Sequence, residues 1–545
     1  MNIKDQTYEL IDSLKAVCHS YGLTGDGNEY KIITQIFLYK FLNDKFGYEV
    51  KKLSEKLRNA EKWEEVYAAM TEDERLDILD KLSPDVLQLQ PEHLVSFLWN
   101  NQTKGDFDVI FDSTMVDIAE KNAAIFSTHT TQNTQILLFE KLTNYITDEA
   151  QKAPFARALV DKLVTFSFEE AFGQKYDFFA AIFEYLIKDY NAANGENVYA
   201  EYYTPQAIAV IMARLLVGDA PDLHNVECYD PSAGTGTLLM ALGHQIGEDR
   251  CTIFSQDISQ KSSKMLKLNL ILNGMVSSLD NAIQGNTMTE PYHKSDDGKE
   301  LRQFDFVVSN PPFKMDFSED KRKMDAQTAR FWGGVPNIKP NQPEKSAIYP
   351  CFIQHVVNSI KKGGKGAIVV PTGFLSAKNG IEYSLRKKLI DDHVISGAIS
   401  MPPNVFANTG TNVSVLFFDK TESQESVVLI DASGMGEEYK EGKNKKRRLT
   451  KDEIEKIVTS FLQKEDIDKF SVNVSFDKFE SKGYSLSAGR YYEVSIQAED
   501  ISEDEFNRRV EEYKTKVQES FTRSKSMETC LSEMFERLKY DRKKN

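Results

Sequence analysis

Through the first 165 residues, apolar side chains return every three or four positions. In KIITQIFLYKFL, Ile33, Ile36, Phe37, Tyr39, Phe41 and Leu42 follow that spacing, the signature of helices with a buried stripe. Extended alternation is scarce, so residues 1–165 are predicted to form an α-helical N-terminal domain. From 166 to 425 the pattern changes. Short apolar runs, VECYD, CTIFSQD, FDFVVSN, GAIVVP, VISGAIS and VSVLFFD, alternate with helical stretches. That alternation predicts an α/β fold with a mostly parallel, doubly wound sheet and ligands at the carboxyl ends of its strands. Residues 426–545 hold one more strand candidate, VVLIDAS, then the basic run Lys443, Lys445, Lys446, Arg447 and Arg448, then a charge-rich helical tail. A chain of 545 residues exceeds what one core organises, so several domains are expected.

Composition narrows the setting. The hydrophobic fraction of 41% is that of a folded protein, and the net charge of -16 argues against a protein that holds nucleic acid by overall charge. A local basic face, or a partner that supplies one, stays compatible with it. The five cysteines (Cys18, Cys228, Cys251, Cys351 and Cys530) form no C-x-x-C pair, which points to reduced thiols, with neither a zinc site nor a disulfide framework. The start MNIKDQTYEL has no signal pattern, and no apolar run approaches the ~20 residues of a membrane span. A soluble cytoplasmic chain is the expectation.

The first candidate site is Asp230-Pro231-Ser232-Ala233-Gly234-Thr235-Gly236-Thr237, lying between VECY and the helical LLMALGHQI. Glycines there let a ligand approach the backbone without a Cβ in the way. A tight structural turn is the plain alternative. The dinucleotide fingerprint is disfavoured, because Leu239 stands at its third glycine position. At the end of the next strand candidate, Asp257 follows Gly236 by 21 residues. A carboxylate there can accept from both ribose hydroxyls, or can simply cap a helix. A third strand region leads to Gly285-Asn286-Thr287, whose amide could read an adenine edge or belong to an ordinary turn.

The run VVSNPPF then ends in Asn310-Pro311-Pro312-Phe313. An exocyclic amino group on a base is a poor nucleophile, because its lone pair is delocalised into the ring. The Asn310 side-chain oxygen and the Pro311 carbonyl could each accept one of its N–H bonds and draw the nitrogen toward tetrahedral geometry. The prolines hold the acceptors ready, and Phe313 offers a stacking face for a base removed from its helix. The plain reading is a strand stop with Phe313 in the core. That reading weakens because the glycine turn and the acid precede the tetrapeptide in order along one predicted sheet.

Together these residues resemble the S-adenosylmethionine-dependent amino-methyltransferases of DNA. The closer likeness is to the modification (M) subunit of type I restriction-modification systems, an N6-adenine DNA methyltransferase family. Glu201-Tyr202-Tyr203-Thr204-Pro205 resembles the F/Y-T-P element that helps enclose the cofactor. DPSAGTGTLL matches the methionine-side glycine motif, Asp257 the ribose acid, and Gly285-Asn286-Thr287 the turn near the cofactor's adenine. NPPF is the adenine-type catalytic tetrapeptide. GGKGAIVVPTGFLS, Leu385-Arg386-Lys387-Lys388-Leu389 and MPPNVFANTGTNVSVLFFDK resemble later units of the same fold, and the motif order is the gamma arrangement. Many members carry Asp where this chain has Asn286.

The resemblance implies a Rossmann-like S-adenosylmethionine-dependent methyltransferase sheet with a helical N-terminal domain and a helical C-terminal tail. It also implies a metal-free transfer of methyl to N6 of a flipped adenine held by Asn310, Pro311, Pro312 and Phe313. The cofactor residues would be Glu201, Tyr202, Tyr203, Thr204, Pro205, Asp230, Ala233, Gly234, Thr235, Gly236, Thr237, Asp257 and Asn286. A self-sufficient enzyme of this motif order would be expected to carry a base-reading domain after its last catalytic strand. The tail instead carries Phe506, Val510, Tyr513, Val517 and Phe521, resuming at Met527, Leu531, Met534 and Leu538, a stripe suited to a helical seam. Docking to a separate specificity (S) subunit is therefore expected, with double-stranded DNA as substrate and with a second M subunit and a restriction (R) subunit in the full complex. The basic run reads as a solvated loop, and Asp316 to Pro343 as a mobile loop that orders on DNA. Two other readings remain: a methyltransferase acting on RNA guanine N2 or protein glutamine, and a non-catalytic scaffold that binds the cofactor.

Overall fold

The protein is described by a computed structural model covering residues 2–24, 27–174, 176–193, 204–218, 222–406, 411–421, 424–441, 444–492 and 502–537. The N-terminal part is built on the helices Ile3–Ser20, Gly27–Leu53, Phe107–Lys121 and Glu149–Val164. Helix Gly27–Leu53 carries the KIITQIFLYKFL run, and Ile33, Ile36, Phe37, Tyr39, Phe41 and Leu42 are all buried. Those six positions point in several directions around the helix. The helix is thus wrapped by its neighbours, not laid on a surface by one face.

All seven strand candidates form strands: β3 (Val226–Asp230), β4 (Cys251–Asp257), β6 (Phe304–Ser309), β7 (Ile360–Pro371), β8 (Ile395–Ser400), β9 (Val413–Asp419) and β10 (Ser426–Asp431). They join β1 (Thr128–Thr130), β2 (Gln135–Ile136), β5 (Ala282–Gln284) and β13 (Ser471–Ser475) in one sheet of order β13-β10-β8-β9-β7-β6-β3-β4-β5-β1-β2. From β7 through β6, β3, β4 and β5 to β1 the pairing is parallel. β9 runs antiparallel between β7 and β8. Along β7, Ala367 and Val369 enter one core while Ile368 and Val370 enter the other. Burial on both faces is why these strands read as continuous apolar runs and not as alternations.

Strand pairing crosses the positions where the sequence pattern changes. The hairpin β1–β2 comes from the helical N-terminal region yet extends the sheet beside β5. Its strands of three and two residues are too short to leave a periodic signal. β10 and β13 likewise bring residues beyond 425 into the sheet. The basic run is not a loop. β12 (Asn444–Arg448) pairs antiparallel with β11 (Glu437–Glu441), so that Arg447 and Lys445 face Glu438 at 3.4 and 3.9 Å. Lys443 lies outside the described residues.

The chain divides into the units Met1–Tyr492 and Glu493–Asn545. Taken by itself, the second unit holds, among its described residues, one helix, Glu503–Arg537, of 35 residues, about 52 Å long. Phe506 and Phe521 are 56% and 70% exposed on it, and Tyr513, Val517, Met527, Leu531 and Met534 are exposed as well. Leu538 lies outside the described residues. Among the described residues no helix is long and apolar enough to cross a membrane.

Candidate active site

Four adjacent strands, in the order β6-β3-β4-β5, end on one edge of the sheet. Their tips are Asn310, the glycine turn, Asp257 and Gly285-Asn286. The fold therefore brings together residues that lie 80 positions apart in the chain.

The glycine turn leaves β3 and starts helix Thr237–Ile246. Gly234 and Gly236 have φ of +53° and +82°, backbone that side chains rarely adopt. A Cβ on Gly236 would also lie 2.3 Å from Leu266 Cδ1. Below the turn sit two buried carboxylates. Asp257 accepts from Gly234 N and Ser259 N, both at 2.8 Å, so the predicted ribose acid also holds the glycine turn in shape. Burial raises its pKa against those two bonds. Asp230, only 1% exposed, accepts from Ser232 N at 2.9 Å. Burial, with Asp257 nearby, pushes its pKa up to about 8. Asn269 Nδ2 donates to Thr235 O at 3.0 Å, and Thr235 Oγ1 and Thr237 Oγ1 are 3.2 Å apart. Ala233 N donates to Gln256 O at 3.2 Å, fastening the turn to β4.

The tetrapeptide begins where β6 ends. Ser309 Oγ lies 2.6 Å from Ser232 Oγ, tying it to the glycine turn. Asn310 Nδ2 donates to Thr204 Oγ1 at 3.0 Å. With its amide nitrogen so used, the Asn310 carbonyl oxygen is the group left to accept from an incoming amine. Thr204 is 4% exposed and stands just ahead of helix Gln206–Val217, with Pro205 as N-cap. Glu201, Tyr202 and Tyr203 lie outside the described residues. Pro311 is buried, while Pro312 and Phe313 are half-buried. The Phe313 ring meets Tyr349 edge-on at 6.3 Å, and its carbonyl accepts from Ile348 N at 3.2 Å.

Asn286 is placed at the β5 tip, but its side chain is already engaged. Its Oδ1 accepts from Met288 N at 3.0 Å, and its Nδ2 donates to Asp320 Oδ2 at 2.8 Å. The segment from Asp316 to Pro343 is packed instead of loose. Phe317, Met324 and Phe331 are buried in the core of that sheet face. Arg330 Nη2 donates to Thr287 O and Met288 O, both at 2.9 Å. Charge and prolines made this stretch read as mobile, because the apolar anchors are single residues spread through it. Sequence reasoning missed Asp320 and Arg330, and the link between Ser232 and Ser309. Their partners are distant in the chain, and no spacing rule links them. Among the described residues no group of three or more His, Cys, Asp or Glu is arranged to hold a metal.

A doubly wound sheet with a glycine turn, an acid and an amide-proline element on successive strand tips defines a class, the Rossmann-like methyltransferases. A family model described as N-6 DNA Methylase matches residues 174–504. The chain belongs to that family and is an adenine-specific DNA methyltransferase. It is 27% identical over 395 residues to the type I restriction enzyme MpnII methylase subunit of Mycoplasma pneumoniae, spanning 71% of this chain and 69% of that one. It is 24% identical over 559 residues to the MjaIX methylase subunit of Methanocaldococcus jannaschii, spanning 98% and 91%. In structure it is similar to the type I restriction-modification methyltransferase subunit of Streptococcus thermophilus. That match has a TM-score of 0.72 at 23% identity and covers 90% of this chain and 99% of that chain.

Proposed function

We propose that this chain is the modification subunit of a type I restriction-modification system, methylating adenine N6 at DNA sites chosen by a separate specificity subunit. The observation that carries the chemistry is the bond from Asn310 Nδ2 to Thr204 Oγ1. With the amide nitrogen on Thr204, the Asn310 oxygen is available as the acceptor that a clamp on an amino group requires. Both relatives named above are type I methylase subunits, and the chain spans most of their length.

The residues fit S-adenosylmethionine. Two positive-φ glycines clear the approach to the turn, Asp257 stands at the next tip, and Thr204 and Pro205 lie just ahead of helix Gln206–Val217. Glu201, Tyr202, Tyr203, Asp230, Ala233, Thr235, Thr237 and Asn286 complete the proposed cofactor set. When bound, the cofactor supplies an electrophilic methyl on a sulfonium. The chain's own part is positioning and polarisation. Asn310 Oδ1 and the Pro311 carbonyl take the two amino hydrogens of the adenine, and Phe313 stacks on its ring. In functional terms residues 1–165 are the N-terminal domain, 166–425 the catalytic domain and 426–545 the docking segment. The exposed apolar face of helix Glu503–Arg537 is the surface offered to the specificity subunit.

A tritiated-methyl assay on unmethylated genomic DNA, with and without the specificity subunit, tests this reading. Label in DNA only with the partner present is expected. Label in RNA or protein, or none at all, overturns it. Asn310→Ala and Phe313→Ala should lose methyl transfer while still binding cofactor; full activity in Asn310→Ala would sink the clamp.

A further inference from the structure

The Asn286–Asp320 pair has a pattern of donors and acceptors that points to a particular ligand edge. Three tips, the glycine turn, Asp257 and Gly285-Asn286, lie in a row on β3, β4 and β5. Neighbouring strands are about 4.8 Å apart, so the row spans roughly 10 Å, the length of an extended nucleoside. Gly285 N donates to Asp257 O at 2.8 Å, so the third tip adjoins the ribose acid. A base attached to a ribose held at Asp257 extends toward Asn286. The base being methylated belongs elsewhere, since β6 and its tetrapeptide are three strands away in the order β6-β3-β4-β5, about 14 Å.

At that tip the asparagine is locked. Its Oδ1 is taken by Met288 N at 3.0 Å, and one Nδ2 hydrogen by Asp320 Oδ2 at 2.8 Å. One amide N–H and further carboxylate lone pairs remain, side by side. Both side chains are half-buried. The pair is held from behind. Phe317 and Met324 anchor the segment carrying Asp320, and Arg330 grips Thr287 O and Met288 O. Adenine presents an acceptor, N1, beside a donor, the N6 amino group. We infer that Asn286 and Asp320 together read this edge of the cofactor, Asn286 Nδ2 donating to N1 and Asp320 accepting from N6. Asp320, carried by the segment just after the tetrapeptide, then determines cofactor specificity, and the same segment joins the cofactor and target halves of the site. This rests on the proposed cofactor reading.

The test is calorimetric titration of the full chain with S-adenosylhomocysteine and S-inosylhomocysteine. The inosyl compound presents N1–H and O6, the reverse pattern. Wild type should prefer the adenosyl compound by about ten-fold or more. The exchange Asn286→Asp with Asp320→Asn keeps a hydrogen-bonded amide–carboxylate pair but swaps its ends, and should turn the preference toward the inosyl compound. An unchanged adenosyl preference in the exchanged chain overturns the inference. Should that chain bind neither compound, Asp320→Ala decides. An adenosyl-specific loss of roughly ten-fold supports the role, and equal loss for both compounds, or no loss, removes it. A wild-type chain that binds neither compound refutes the cofactor reading itself, a result distinct from these.

Discussion

An asparagine amide can clamp an amino group only while its oxygen faces that group. In the proposed clamp, Thr204 Oγ1 engages the Asn310 amide nitrogen and leaves the oxygen to accept. Thr204→Val should therefore lower the single-turnover methylation rate at saturating cofactor by about ten-fold, the cost of one lost hydrogen bond. Thr204→Ser should restore it. The buried acids make a pH prediction. Asp230 has a folded pKa near 8, above that of an unfolded aspartate. Because its folded pKa is raised, the folded state keeps the proton that the unfolded state has lost, and stability falls as pH rises between about 4 and 8. The slope is about 1.4 kcal/mol per pH unit for one such group. Asp230→Asn, which preserves an acceptor for Ser232 N, should flatten that part of a urea-unfolding profile for the cofactor-free protein. At this scale the sequence was most legible. Glycines at positive φ and an amide before two prolines are residue-type requirements, visible without coordinates. The Thr204 to Asn310 bond was not visible, because it joins residues 106 positions apart.

Among the elements, the β1–β2 hairpin shows what pattern reading misses. It adds a strand beside β5 and sets Thr131 against the Gly285-Asn286 turn. A Cβ on Gly285 would lie 2.1 Å from Thr131 Cγ2. Gly285→Ala is thus expected to cost about 1–3 kcal/mol by overpacking and to weaken cofactor binding. Thr131→Gly in the same chain should recover part of both, measured by thermal unfolding and titration. A second such element is helix Gly380–Asp391. Its fully buried Arg386 donates to the carbonyls of Tyr484, Phe374 and Ala377. In the sequence it sat in a basic-looking LRKKL. In the fold it clamps the region just before SAGRYYE to the catalytic sheet. Arg386→Ala should lower stability by about 3 kcal/mol, read as a shifted urea midpoint, because buried carbonyls lose their donor.

For the whole molecule, the question is how an acidic chain works on DNA. A formal charge of -16 gives no general attraction to phosphates. The proposed answer is a division of labour, with the chemistry here and the site choice in a partner. A chain ending at residue 492 should keep the melting temperature of the Met1–Tyr492 unit but fail to co-elute with the specificity subunit in size-exclusion chromatography. Co-elution of the shortened chain would remove helix Glu503–Arg537 from the interface.

The sequence by itself determined the fold class, the order of strands along the chain, and the residue types at three strand tips. Local backbone demands and apolar periodicity act over a few residues, so they can be read from a few residues. Tertiary structure alone decided which partners orient those tips. It seated an N-terminal hairpin beside the Gly285-Asn286 turn and set Thr204 on Asn310. It also anchored the segment after the tetrapeptide and placed Asp320 against Asn286. Those contacts join distant parts of the chain, and they exist only because the parallel sheet brings successive strand ends to one edge.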